Sequence, residues 1–291
     1  KGRVGDCHSC EKNAPQVIIK CRQVVDLDSR SSIFWRPSSP RPGSRLPKHS
    51  QRSILAFWSP LAATWIMMAA EGPFLAAIIA RLPDATYNLA AYGVAFALAI
   101  VIEGPVMMLM SAATSLVKDR ISYTKLRNFS RVLAVGTTLF LLLFLYPPFY
   151  RLLVDGALGL PREVADLTYG ALWFFIPWPA AIAYRRFIQG VLIRSGKTRL
   201  VAYGTAIRFI GMMMAAFTGY FFLNIPGAFV GSLALSAGVV VEAVAARFMA
   251  DSTIRAMLGG DLDEGPSVEI SYREISAFYF PLALTSLIGL S

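Results

Sequence analysis

From Ile54 to its last residue the chain alternates apolar stretches, each long enough to cross a bilayer as a helix, with short polar breaks. A crossing needs about 20 consecutive, mostly apolar helical residues. The stretches cover 54–81, 88–117, 131–153, 167–194, 199–223 and 226–249, and a seventh begins near Tyr272 and runs to Ser291. In hydrocarbon the backbone must satisfy its own polar groups, and a helix does so within one segment. The pattern therefore predicts an all-α integral membrane protein. Composition agrees, because apolar residues make up 55% of the 291 and charged residues only 16%, a balance that fits lipid as the solvent.

A formal charge of +10 raises nucleic acid as a partner, so the position of that charge matters. Residues 1–53 hold eleven Lys or Arg against four Asp or Glu, which confines most of the excess to a tail. The tail also carries the Pro, Ser and Arg mixture Arg36-Pro37-Ser38-Ser39-Pro40-Arg41-Pro42-Gly43, too poor in apolar surface to offset the entropy of ordering. Disorder is expected there, and no nucleic-acid partner. The tail lacks the 7–15 residue apolar core of a secretory signal. Cys7, Cys10 and Cys21 all lie in it, so no disulfide framework staples the main body. Cys7-His8-Ser9-Cys10 offers half of a zinc site, with Cys21 and His49 as the nearest further ligands, and a structural zinc site takes about four. No metal and no other cofactor is expected.

Loop charges set the orientation. The loop 118–131 carries Lys118, Arg120, Lys125, Arg127 and Arg131, and the turn 194–199 carries Arg194, Lys197 and Arg199. The opposite loops hold Arg81, then Arg151 and Arg162, then none around Asn224-Ile225-Pro226. The excess of positive charge on cytoplasmic loops places the N-terminus in the cytoplasm, with the chain integral to a plasma (inner) membrane.

Residues 56–64 read Ala-Phe-Trp-Ser-Pro-Leu-Ala-Ala-Thr and residues 277–285 read Ala-Phe-Tyr-Phe-Pro-Leu-Ala-Leu-Thr, identical at six of nine positions. Both copies open a crossing from the same side after a polar segment, the arrangement of a parallel repeat with a site between its halves. Chance likeness between two apolar helices is the competing explanation. On the repeat reading the chain comprises a disordered basic tail over 1–53, a six-helix N-terminal lobe over 54–250, a cytoplasmic linker over 251–271, and the truncated start of a second lobe over 272–291.

Ionisable residues inside hydrocarbon are costly and point to a site or a pathway. Glu71 and Glu103 each open a Glu-Gly-Pro triplet, Glu71-Gly72-Pro73 and Glu103-Gly104-Pro105. Proline removes a backbone donor and glycine tolerates a kink, so both helices are expected to break beside their carboxylates. A carboxylate withdrawn from water takes up a proton more readily, which suits a group that binds a coupling proton or cation, or the substrate. Pairing with an arginine is the plainer role. Arg185, Arg186, Arg208 and Glu242 lie within roughly 10 Å of the bilayer middle at 1.5 Å per residue. Their guanidinium groups suit an anionic head group, phosphate or carboxylate, with an Arg208–Glu242 ion pair as the structural alternative. Arg185 and Arg186 cannot share a helix face, so one is expected to face a cavity and the other to snorkel. Pro177-Trp178-Pro179 should bend the fourth crossing.

Gly190 through Thr198 imitates a phosphate-binding loop, but has five residues between its glycines where four are required, and follows a helix instead of a strand. It is a cytoplasmic turn on this reading. Both histidines lie in the tail, which disfavours a membrane-embedded enzyme relying on histidine chemistry.

The stretch from Gln189 through Arg199, with its Gly-Lys-Thr turn, resembles the corresponding turn of the multidrug, oligosaccharidyl-lipid and polysaccharide (MOP) exporter superfamily. With Arg208, Gly227, Gly231 and Glu242, the pattern from Pro177 to Ala250 is similar to the progressive ankylosis proteins, a branch of that group. The resemblance implies a MATE-like carrier of two six-helix lobes around a central cavity, exporting or flipping cationic drugs, lipid-linked sugars, or pyrophosphate and related anions. On this chain it implies a six-helix transporter lobe plus the start of a seventh helix, with the bilayer, a small or lipid-linked substrate and a coupling proton or cation as partners. Substrate-binding or ion-coupling roles fall to Glu71, Glu103, Arg185, Arg186, Arg208 and Glu242. A non-transporting membrane scaffold is the alternative, and a membrane-embedded enzyme a weaker one.

Overall fold

The computed structural model describes residues 51–259 and 270–290, and among these described residues there are ten α-helices and no strand. The tail up to residue 50, with its cysteine and histidine positions, and residues 260–269 of the expected linker lie outside them. The helices are α1 (Gln51–Ile79), α2 (Ala85–Met107), α3 (Leu109–Leu116), α4 (Arg120–Phe144), α5 (Pro147–Leu153), α6 (Arg162–Phe174), α7 (Trp178–Arg194), α8 (Thr198–Phe222), α9 (Gly227–Gly259) and α10 (Tyr272–Leu290). One π-helical turn, Val154–Leu158, follows α5. All belong to one unit, 49–291.

Among the described residues five spans are long and apolar enough to cross a membrane: Trp58–Ile79, Ala85–Leu116, Arg120–Phe144, Thr198–Phe222 and Gly227–Ala256. The protein is an all-α integral membrane protein. Its outer surface is apolar, with Trp65, Ile66, Val132, Phe222 and Phe248 each more than two-thirds exposed, which is tolerable where lipid is the solvent. The fourth expected crossing, 167–194, is built from two shorter helices. The chain breaks at Phe175–Pro177, between α6 and α7, because Pro177 and Pro179 both lack an N–H to continue the ladder.

Three boundaries differ from the sequence expectation. The basic loop 118–131 is mostly helix, since Asp119 caps α4 by accepting from the Ser122 N–H at 2.7 Å while Ser122 Oγ accepts from the Asp119 N–H at 3.0 Å. Arginines at 120, 127 and 131 ride on that helix because long cationic side chains reach out of an apolar layer. The 251–271 stretch begins as helix, with α9 continuing to Gly259. Of the two Glu-Gly-Pro triplets only the second precedes an interruption, at Met108 between α2 and α3. Helix α1 runs unbroken through Pro60 and Pro73, so a single missing donor is absorbed there without ending the helix.

Helix α9 lies at the centre, against α1, α2, α6, α7 and α8. Small residues set how closely neighbours approach, as in membrane bundles generally. A Cβ on Gly190 of α7 would meet the Met110 carbonyl of α3 at 2.5 Å, and one on Gly238 of α9 would meet the Arg208 carbonyl of α8 at 3.0 Å. The start of α9 is tied to α2 by buried Asn88, whose Oδ1 accepts from the Ala228 N–H at 3.0 Å while its amide donates to the Pro83 and Asp84 carbonyls. The turn that imitates a phosphate loop is a helix stop. Gly196 takes the left-handed conformation (φ +71°), Gly196 N donates to Ile193 O and Lys197 N to Leu192 O, the double closure of a Schellman motif.

Candidate functional site

Six ionisable side chains from five helices meet in the interior of this bundle. Glu71 comes from α1, Glu103 from α2, Arg185 and Arg186 from α7, Arg208 from α8 and Glu242 from α9. Arg208 donates to Glu71 Oε2, with both side chains 5% exposed. Arg185 donates to Glu242 Oε2 at 2.6 Å, with exposures of 2% and 1%. Glu242 also lies 4.0 Å from Arg208, and its Oε1 accepts from Gln189 at 3.0 Å and Thr205 at 3.5 Å. It is therefore the hub that ties α7, α8 and α9 together. Arg208 bridges that hub to α1, so Glu71 and Glu242 share one guanidinium.

Glu103 and Arg186 are arranged differently. Glu103 accepts from the indole N–H of Trp178, the first residue of α7 after the Pro177 break. Arg186 donates to the thioether of Met107 at 3.3 Å, a weak acceptor. Among the described residues no carboxylate lies within ion-pair distance of Arg186. Both cations of the adjacent pair point inward, contrary to the expectation that one snorkels. Consecutive residues diverge by about 100° on a helix of 3.6 residues per turn, and α7 is surrounded closely enough that this arc still falls within the bundle.

Glu71, Glu103, Arg185, Arg186 and Arg208 line one cavity of about 290 Å³. Its remaining wall is largely apolar and aromatic, with Tyr92, Phe96 and Trp178 among the lining residues. Glu242 stands behind that wall, holding Arg185 and Arg208. A low-dielectric wall strengthens each charge, and an ion in such surroundings is tolerable only when paired or hydrogen-bonded. Several atoms remain unpartnered: Glu71 Oε1 and the Nε groups of Arg185, Arg186 and Arg208. The arrangement can present donors and acceptors to a small polar or charged group in a bilayer interior. A larger cleft of about 490 Å³ between α5 and α6 is bordered by Arg151, Arg162 and Asp166, all exposed, so it lacks this buried electrostatics.

Gln189, Thr205 and Trp178 complete the network and were not among the site residues expected from the sequence. Gln189 and Thr205 lie one turn from Arg185 and Arg208 respectively, so a scan of the i+4 and i−3 neighbours of each buried ion would have found them. Trp178 had no such signal, because its partner is 75 residues away.

No protein-family profile matches the chain, and no curated protein matches it. Among solved structures it is similar to a multidrug resistance MATE family transporter of the MOP superfamily in an outward-facing conformation, with a TM-score of 0.62 and 15% sequence identity. The match covers 80% of this chain and 52% of that one, so the chain spans about half the length of the transporter it resembles. The likeness establishes a MATE-like fold.

Proposed function

We propose that the protein is a secondary membrane transporter, an exporter or flippase, that moves a small or lipid-linked substrate bearing an anionic group by alternating access. The observation that carries this is the gathering of Glu71, Glu103, Arg185, Arg186 and Arg208 around one cavity inside an apolar bundle. Desolvating five ions costs several kcal/mol each before pairing, on the order of the whole stability of a domain. Stability alone gives no reason to place them there. The anionic preference follows from Arg186, whose guanidinium borders the cavity with no carboxylate within ion-pair distance among the described residues. The MATE-like fold supports a carrier. The likeness of 56–64 to 277–285 supports one six-helix N-terminal lobe followed by the first helix of a second, in the ankylosis-like branch. Glu71 and Glu103 are the candidates for coupling to a proton or cation, and the basic end of the bundle is the cytoplasmic one.

The second reading, a non-transporting scaffold, draws on the closed Arg208–Glu71 and Arg185–Glu242 pairs, which also join helices. Uptake of pyrophosphate, citrate and an organic cation into sealed vesicles bearing the intact protein separates the two. Anion movement that is lost in Arg186→Met and Glu103→Gln supports the transporter; no movement of any of the three, or movement unchanged in both variants, favours the scaffold.

A further inference from the structure

Away from the charged cavity, a groove runs down the lipid-facing seam between α7 and α9. It consists of two hollows that meet at Val240. One, of about 480 Å³, is lined by Ala181 and Tyr184 of α7 and by Val244, Arg247 and Phe248 of α9. The other, of about 370 Å³, continues past the α6–α7 break, between Trp173 and Pro177 on one side and Leu233 and Ser236 on the other. From Leu233 to Phe248 the groove follows fifteen rises of α9, about 22 Å at 1.5 Å each. Half the thickness of a bilayer with its headgroups is about 20–22 Å. The groove thus matches one lipid molecule from headgroup to chain end.

Its two ends differ in chemistry. From Leu233 through Val240 to Val244 the walls are largely apolar. At the other end the Tyr184 hydroxyl lies in the field of Arg247, Arg131 and Arg127, contributed by α9 and α4. Arg247 shares a single carboxylate with Arg255, because Asp251 pairs with both, leaving that trio positive. Arg127 sits over the Tyr123 ring at 5.7 Å and, like Arg131, has no carboxylate within ion-pair distance among the described residues. Guanidinium groups bind phosphate oxygens in a matched fork, and a tyrosine beside them suits the water–lipid boundary.

We propose that the α7–α9 seam, headed by Arg127, Arg131 and Arg247, binds one phospholipid with an anionic headgroup, its acyl chain laid along Val240 and Val244. The occupant is a lipid of the surrounding leaflet and not the transported substrate. The groove opens on the outer face of the bundle, whereas the charged cavity lies on the inner side of α7 at Arg185 and Arg186. A lipid seated there braces α7 against α9, the two helices that hold Arg185 and Glu242.

Binding is read on the full chain purified in a non-ionic detergent, by native mass spectrometry and thermal melting during titration with phosphatidylglycerol, phosphatidylcholine of the same acyl chains, and glycerol 3-phosphate. The expected result is one retained phosphatidylglycerol, favoured over phosphatidylcholine by about tenfold or more, since each arginine near an anionic headgroup adds about 1 kcal/mol. In Arg127→Gln/Arg131→Gln/Arg247→Gln that preference should disappear while the fold, followed by circular dichroism, persists. Val240→Trp, which fills the groove from its open side, should weaken retention of both lipids. Equal retention of the two lipids by the parent protein, a preference that survives the triple arginine variant, or retention untouched by Val240→Trp would each overturn the proposal. So would displacement of the lipid by glycerol 3-phosphate at equal concentration, which identifies a soluble-anion site instead.

Discussion

Glu242 makes more bonds than any other charged side chain in the core, to Arg185, Gln189 and Thr205, with Arg208 at 4.0 Å. Removing its charge leaves Arg185 buried without a counter-ion, and breaking a buried pair on one side costs about 3–5 kcal/mol. Glu242→Gln is therefore expected to lower the melting temperature of the purified protein markedly, and Arg185→Met/Glu242→Met to recover much of that loss because no orphan charge remains. A smaller loss in the single variant than in the double would refute the pairing. Arg186 should behave oppositely. Among the described residues its one hydrogen-bond partner is a thioether, so Arg186→Met should change stability by about 1 kcal/mol or less while abolishing anion movement. Equal damage to folding and transport would return Arg186 to a structural role. That contrast distinguishes ions that hold the bundle from ions that face the cavity.

Local chemistry at chain reversals explains where helices start and stop. Gly196 ends α7 with φ +71°, a region where a side chain costs about 1–2 kcal/mol. Gly196→Ala should destabilise by about that amount in thermal melts, and a neutral result would mean the turn relaxes. At the start of α4, burial pushes the Asp119 carboxyl up, but hydrogen bonds from the Ser122 side chain and from the backbone outweigh it and hold the group below its usual value. A depressed folded-state value means the cap contributes fully above the unfolded carboxylate range near pH 4 and is lost as pH falls through the lower folded value. Asp119→Ala should cost about 1 kcal/mol at neutral pH, with the gap from the parent narrowing as the solution is acidified below pH 4. A gap that stays constant with pH would exclude the charged cap as its source. The α2–α3 interruption is another such element. Tyr279 of α10 donates to the Pro105 carbonyl there and packs on Phe129 of α4 at 5.1 Å, so the last helix is attached beside the helix end that carries Glu103.

At the scale of the molecule, sidedness is set by Lys and Arg in the connections and the fold by shape. With Cys7, Cys10 and Cys21 changed to serine, Lys118→Cys should react with an impermeant maleimide only after cells are opened, and Leu82→Cys in intact cells. The reverse pattern would invert the topology. The MATE-like arrangement, shared at 15% identity, shows how little sequence such a bundle has to retain. What it does need is an apolar exterior, small residues at crossings such as Gly190 and Gly238, and helix breaks at the correct depth.

Much of this was legible in the residues. Runs of apolar residues long enough to cross a bilayer point to spanning helices, because only a helix satisfies the backbone within a single segment in hydrocarbon. Charges inside those runs mark the interior, because lipid does not solvate them. Interruption was only partly legible: Pro177 and Pro179 together divided a crossing, whereas Pro73 left α1 intact, since whether one lost hydrogen bond ends a helix depends on what packs around it. Which ions would pair was legible only in part: the Arg208–Glu242 pair anticipated from the sequence is present at 4.0 Å, whereas the closer Arg208–Glu71 and Arg185–Glu242 pairs were not. Glu71 and Arg208 are separated by 137 residues and Arg185 and Glu242 by 57, and periodicity along a helix reports the face of a residue but not the neighbour across the gap. Only the packing of α1, α7, α8 and α9 could decide that Glu242 is a hub, that Arg186 lacks a carboxylate, and that both arginines of one adjacent pair face inward.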